Sequence, residues 1–182
     1  MSEEMARERS LEWVPEQIEV KVKRLSEMLG KTVPAPFYAT EGAAGMDLAA
    51  CINEPVTIPP RGRIAIPTGI AIQLPSRGLV GLVFPRSGLA ARHGISMANA
   101  VGVIDSDYTG EVICPVQNLG DADFTIHPGD RIAQLVFVPV VSARLRFVDQ
   151  LEETRRGSGG FGSTGLGAAK EDLASKDKIP DL

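Results

Sequence analysis

Residues 99–112, NAVGVIDSDYTGEV, place a carboxylate, an aromatic ring and glycines within one short, otherwise apolar stretch. Asp105 can accept a proton there, and Tyr108, three residues on, can cover a flat ligand. Gly102 and Gly110 carry no side chain, so the backbone N–H and C=O groups near Val103 and Ile104 are open to read the edge of a base. The pattern predicts a β-hairpin that outlines a nucleotide pocket. The alternative is a hairpin whose Asp and Tyr are solvated turn residues.

Four other segments set small residues around one or two reactive ones: AAGMDL at 43–48, PRSGLA at 85–90, GDRIAQL at 129–135 and RGSGGFGSTG at 156–165. In PRSGLA a strand is expected to end and a helix to begin. Free N–H groups at a helix start attract phosphate oxygens, and Arg86 adds a rigid fork of donors. Ser87 is alternatively a plain N-cap. Asp47 is a carboxylate among small apolar residues, costly to bury without a partner; one alternative is a structural pair with an arginine such as Arg131. Gln134 is polar within an apolar strand, and taken alone it reads as an outward-facing residue. The last segment matches GxGxxG at Gly157, Gly159 and Gly162, and also a P-loop whose lysine is replaced by Ser163. Neither match has its required strand-to-helix context, so both are set aside in favour of a Gly/Ser linker or a lid.

Taken in order, the five segments resemble the motifs of the trimeric dUTP pyrophosphatases (dUTPases), over residues 18–165. The resemblance implies hydrolysis of dUTP to dUMP and pyrophosphate, which supplies dUMP for thymidylate synthesis and keeps uracil out of DNA. It makes Asp105 the general base. Around the substrate it puts Arg86, Ser87, Gly88 and Gln134 at the phosphates, and Asn99, Val103, Ile104 and Ile113 at the uracil. Tyr108 lies against the sugar, and a closing arm brings Arg156, Phe161, Gly162, Ser163, Thr164 and Gly165. Phe161 stacks on the base. Asp47 acts near Mg²⁺ through a water ligand, which suits an ion that keeps several waters and binds phosphate oxygens. The resemblance also implies a homotrimer whose sites are shared between chains. A related dCTP deaminase is disfavoured, because its pattern has a serine where Gly88 stands and a catalytic glutamate in the third motif. A non-catalytic, dUTPase-like regulatory protein is the other alternative, but no catalytic position here is degraded.

The elements that must hold these residues are mostly strands. Residues 18–23 alternate apolar with charged side chains, which predicts a strand with one wet face. Strands are also expected at 63–66, 69–74, 79–84, 111–116, 124–126, 131–138 and 144–148. Pro/Gly turns at 59–62, 75–78 and 127–130 separate them. The spacing predicts an all-β antiparallel sandwich or jelly roll, with one short internal helix over Ser87–His93 ended by Gly94. A polar extension (1–17), a β domain (18–151) and a flexible C-terminal arm (152–182) complete the organisation.

Composition sets the outer limits. A chain of 182 residues with 43% hydrophobic content supports one core. A net charge of −4 argues against non-specific nucleic-acid binding. Cys51 and Cys114 form no CxxC pair and are expected to be buried and reduced, while His93 and His127 are too isolated for a metal cluster. The charged start and the lack of a long apolar run predict a cytoplasmic protein with no membrane partner.

Overall fold

In the computed structural model, residues 17–154 and 156–159 are described. The chain divides into two units, one ending at Ser142 and the other beginning at Ala143. In the first unit lie the strands β1 (Lys21–Arg24), β2 (Phe37–Tyr38), β3 (Met46–Ala49), β4 (Val56–Ile58), β5 (Arg63–Gln73) and β6 (Leu79–Pro85). After the helix α1 (Ser87–His93) come β7 (Ile95–Met97), β8 (Gly102–Ile104), β9 (Glu111–Asn118), β10 (Phe124–Ile126) and β11 (Arg131–Pro139).

The strands form a four-stranded sheet β1-β5-β9-β7, a five-stranded sheet β2-β3-β11-β6-β8 and the pair β10-β4. Every ladder is antiparallel. The expected all-β architecture with one helix is what these residues adopt. Alternation explains it: along β9, Val112, Cys114, Val116 and Asn118 are buried while the residues between them are not. Val112, Cys114 and Val116 meet Ile66, Ile70, Val83, Ile95, Leu48 and Leu135 in one core. Cys51 and Cys114 are free and buried within it. Burial pushes the Cys114 thiol up to about 12, because the interior disfavours the thiolate.

The helix runs as its sequence predicts. Gly94, at φ 68°, closes it by donating its N–H to Ala90 O at 3.0 Å. Four expectations need correction. The segments 63–66 and 69–74 are one strand, β5, and the break between them is only a bulge in its ladder with β9. The strand at 18–23 begins at Lys21, and all four residues of β1, Val22 included, are exposed, as befits the sheet edge. No strand forms at 144–148: the alternation is present, but Leu145 and Phe147 are 80% and 95% exposed and no ladder partner pairs with them among the described residues. Finally, 99–112 is not a paired hairpin. β8 pairs with β6 and β9 with β5 and β7, so the segment crosses from one sheet to the other.

In the second unit, residues 143–154 are exposed and without regular structure. A tight turn follows, in which Gly157 N donates to Thr154 O at 3.0 Å and Gly159 N to Arg156 O at 3.1 Å.

Candidate active site

β11 is the spine of the site. Gln134 stands opposite Asp47 of β3 on one side and opposite Phe84 of β6 on the other. Directly opposed residues project to the same face of a sheet, so this register alone gathers the three side chains. One residue beyond β6, the chain delivers Arg86, and then Ser87 and Gly88 in the first turn of α1. All of these residues line one cavity of about 350 Å³ together with Ala39, Ala43, Ala44, Gly45 and Val136.

Its electrostatics centre on Asp47, which is only 8% exposed. Oδ1 lies 2.9 Å from Arg86 Nε, and Oδ2 accepts from an Arg131 guanidinium nitrogen at 2.8 Å. Arg86 also donates to the Arg131 carbonyl at 3.2 Å. The pairing with Arg131 weighed from sequence is therefore present, and Arg86 joins it. Arg86 lines the cavity and Arg131 lies behind Asp47 outside the lining, so the three-residue cluster carries a net positive charge beside the cavity, which favours an anion.

Gln134 is half-buried and donates from Nε2 to Pro85 O at 3.1 Å; with Ala133 and Leu135 on either side buried in the core, it faces away from the core and into the cavity. Gly45 makes room for it, since a Cβ there would stand 2.9 Å from Gln134 Oε1. Ser87 is not an N-cap. Arg86 occupies that position without a side-chain cap bond, leaving the first N–H groups of α1 unclaimed by the helix. A Cβ added to Gly88 would meet nothing within 4 Å, so the space over the helix start is open.

A second group sits on the segment between the sheets. Asn99, Val103, Asp105, Tyr108 and Ile113 are exposed and Ile104 is half-buried. β8 is an edge strand, so one side of its backbone has no ladder partner. Asp105 O accepts from Tyr108 N at 3.1 Å, and the Tyr108 hydroxyl donates to Glu111 O at 2.9 Å. Gly102 packs on β6, where a Cβ would be 3.2 Å from Val83 Cβ. None of these residues lines the cavity of Arg86 and Gln134.

In the second unit, Arg156 Nε donates to Gly159 O at 3.0 Å. Phe161, Gly162, Ser163 and Thr164 lie outside the described residues. Among the described residues no three His, Cys, Asp or Glu side chains gather as a metal cluster, and no helix is long and apolar enough to cross a membrane. Sequence reasoning missed Phe84, Val136 and the alanines of the cavity wall. The run of small residues at 43–45 was the available signal.

A family model described as dUTPase matches residues 31–165. The chain is 53% identical over 144 residues to the deoxyuridine 5'-triphosphate nucleotidohydrolase of Hahella chejuensis, covering 79% of this chain and 95% of the relative. The protein of the same name from Aeromonas salmonicida is 49% identical over 149 residues, covering 82% and 97%. Among solved structures, a mutant Staphylococcus bacteriophage 80alpha dUTPase with dUpNHpp superposes with a TM-score of 0.72 at 27% identity, covering 82% of this chain and all of the other. A mutant dUTPase from phage phi11 of S. aureus, described as coordinating a structural Mg(II) ion, gives 0.64 at 25% identity, covering 75% and 100%. With the matched model spanning most of the β domain and these relatives matching nearly end to end, the chain belongs to the dUTPase family.

Proposed function

We propose that this chain hydrolyses dUTP to dUMP and pyrophosphate, with Asp105 as general base on a water aimed at the α-phosphorus. The observation that carries the reading is the cavity that unites Asp47, Arg86, Ser87, Gly88 and Gln134, with Arg131 adding a second guanidinium on Asp47 beside it. It suits a polyphosphate. As water adds to phosphorus, its proton passes to the Asp105 carboxylate and the bond to the β-phosphate oxygen breaks, so that pyrophosphate leaves. Arg86 and the free N–H groups of α1 stabilise the charge that develops on the phosphate oxygens, and Gln134 orients them.

The donor set fits Mg²⁺ held indirectly. Both oxygens of Asp47 already accept from arginines, yet each keeps a lone pair for a water molecule. When bound, Mg²⁺ would offset the triphosphate charge, with its direct ligands coming from phosphate oxygens.

Specificity is assigned to the second group. The free edge of β8 at Val103 and Ile104, with Asn99 and Ile113, would read the uracil edge, and Tyr108 would lie against the deoxyribose and reject a 2′-hydroxyl. Arg156, Phe161, Gly162, Ser163 and Thr164 would close over the nucleotide. That the phosphate residues and the base-reading residues line no common cavity supports a homotrimer with sites completed by a neighbouring chain. Buried, unpaired cysteines suit a cytoplasmic setting.

The test is a panel of nucleoside triphosphates with Mg²⁺, scored for pyrophosphate release. Turnover confined to dUTP is expected. Comparable turnover of dCTP or of dTTP would refute the assigned pocket, and none at all would refute the activity.

A further inference from the structure

β5 departs from a regular ladder at one place. Pro67 pairs with Ile113 and Ala71 with Glu111, so β5 takes four steps where β9 takes two. This bulge is tied down by neighbouring loops: Leu25 N donates to Gly69 O at 2.8 Å and Cys51 N to Pro67 O at 2.8 Å. Gly69 has φ 73°, and a Cβ there would meet Cys51 Sγ at 2.6 Å, so no other residue fits the turn.

The start of β9 hooks onto that anchor twice. Gly69 N donates to Glu111 Oε1 at 2.9 Å, and the buried Thr68 hydroxyl donates to Val112 O at 2.6 Å. Glu111 then passes the constraint on, because its own carbonyl accepts from the Tyr108 hydroxyl at 2.9 Å. Gly110 allows the ring to lie this close, as a Cβ there would stand 2.6 Å from Tyr108 Oη. Tyr108 N in turn bonds Asp105 O. One hydrogen-bonded path therefore runs from the β5 bulge through Glu111 to Tyr108 and Asp105.

We propose that Glu111 is a positioning residue for sugar discrimination: its carboxylate pins the peptide that holds the Tyr108 ring in place. The proposal rests on the reading above that Tyr108 faces the deoxyribose. Tyr108 is 44% exposed, so packing alone does not fix the ring and its hydroxyl bond matters. Rejection of a 2′-hydroxyl is steric, and a clash costs little against a ring that can swing aside. Rigidity of the wall thus decides how strongly a ribonucleotide is refused. A half-buried side-chain oxygen turned onto a backbone N–H, rather than toward water, is an acceptor whose reach supplies such rigidity.

The experiment measures kcat/KM for dUTP and for UTP, with Mg²⁺, on the full chain and its variants. Glu111→Ala is expected to cut the dUTP/UTP ratio at least ~10-fold, chiefly through a lower KM for UTP. Glu111→Asp, whose carboxylate is withdrawn by about 1.5 Å, should behave alike and carries the test if the alanine variant does not fold. Glu111→Gln keeps an acceptor at the same reach and should stay within about threefold of wild type. A loss of stability alone would lower both activities together and leave the ratio unchanged. Combining Glu111→Ala with Tyr108→Phe should cost no more discrimination than either change alone, since both cut the same path. An unchanged ratio in folded Ala or Asp variants, a Gln variant as impaired as Ala, or additive losses in the double variant would overturn the proposal. Those results on an active wild type would leave the dUTPase reading intact, whereas a wild type inert toward dUTP would remove the reading itself.

Discussion

Replacing Asp47 by Asn separates the environment of an ion pair from its geometry. Asp47 is 8% exposed and engages Arg86 at 2.9 Å and Arg131 at 2.8 Å. Breaking a fully buried pair costs about 3–5 kcal/mol, while an exposed pair contributes about 0–1 kcal/mol. The arginine side chains here are 28% and 41% exposed, so water rehydrates them in part after the change. The Asn oxygen also still accepts one bond. These considerations place the loss at about 1–3 kcal/mol, and with a urea m-value of about 2 kcal/mol/M the midpoint should fall by roughly 0.5–1.5 M. Urea unfolding at one fixed protein concentration measures it, which matters if unfolding also dissociates subunits. Glu27→Gln is the control, because the Lys31–Glu27 pair has the same 2.9 Å separation but side chains 64% and 92% exposed, and no shift of the midpoint is expected. An Asp47→Asn midpoint as unchanged as that of the control would refute the claim that burial makes the Asp47 cluster a structural clamp on the cavity.

Asp105→Asn should fold and bind dUTP but release pyrophosphate at least ~10²-fold more slowly, since the amide cannot take the proton from water; near-wild-type turnover would remove the base assignment. Ending the chain after Leu151 should leave the melting temperature unchanged, because the removed sequence has too few apolar residues to join the core, while abolishing most activity if the arm is a lid. Full activity of the shortened protein would make the arm a linker. Cys114, raised from 9.0 to about 12 by burial, keeps its proton in the folded state where the unfolded chain loses it. Stability from this group is therefore full below pH 9 and declines as pH rises toward 12, by about 1 kcal/mol at pH 10. A Cys114→Ala variant should lack that part of the alkaline decline, and an identical pH profile for both proteins would contradict it.

How much of this was legible in the sequence depended on whether a signal was local. Helix α1 was readable to the residue, because Pro85 precedes it and Gly94 must take the left-handed turn that ends it. β10 was readable as well. β3, which carries Asp47, was not anticipated: Leu48, Ala49 and Ala50 are all buried, so the segment shows no alternation. The short β2, β4 and β7 were also missed. Residues 99–112 misled in a different way, as its turn residues suit a hairpin, yet the strands on either side find better partners in opposite sheets.

For the site, the residue types at Asp47, Arg86, Ser87, Gly88 and Gln134 were visible, and their convergence was implied by the family resemblance alone, not by any local pattern. It depends on the register of β3, β11 and β6, which is a long-range property. The second arginine on Asp47 follows from the same register, since Arg131 opens β11 and Arg86 leaves β6 beside it. Glu111 gave no sequence signal at all, because the bulge it grips lies 42 residues earlier in the chain.

The central claim is most directly tested by turning over dUTP with Mg²⁺ in ¹⁸O-labelled water and weighing both products. Attack by an Asp105-activated water on the α-phosphorus predicts one labelled oxygen in dUMP and unlabelled pyrophosphate in equal amount. Label in the inorganic product, or release of single phosphates in place of pyrophosphate, would contradict it.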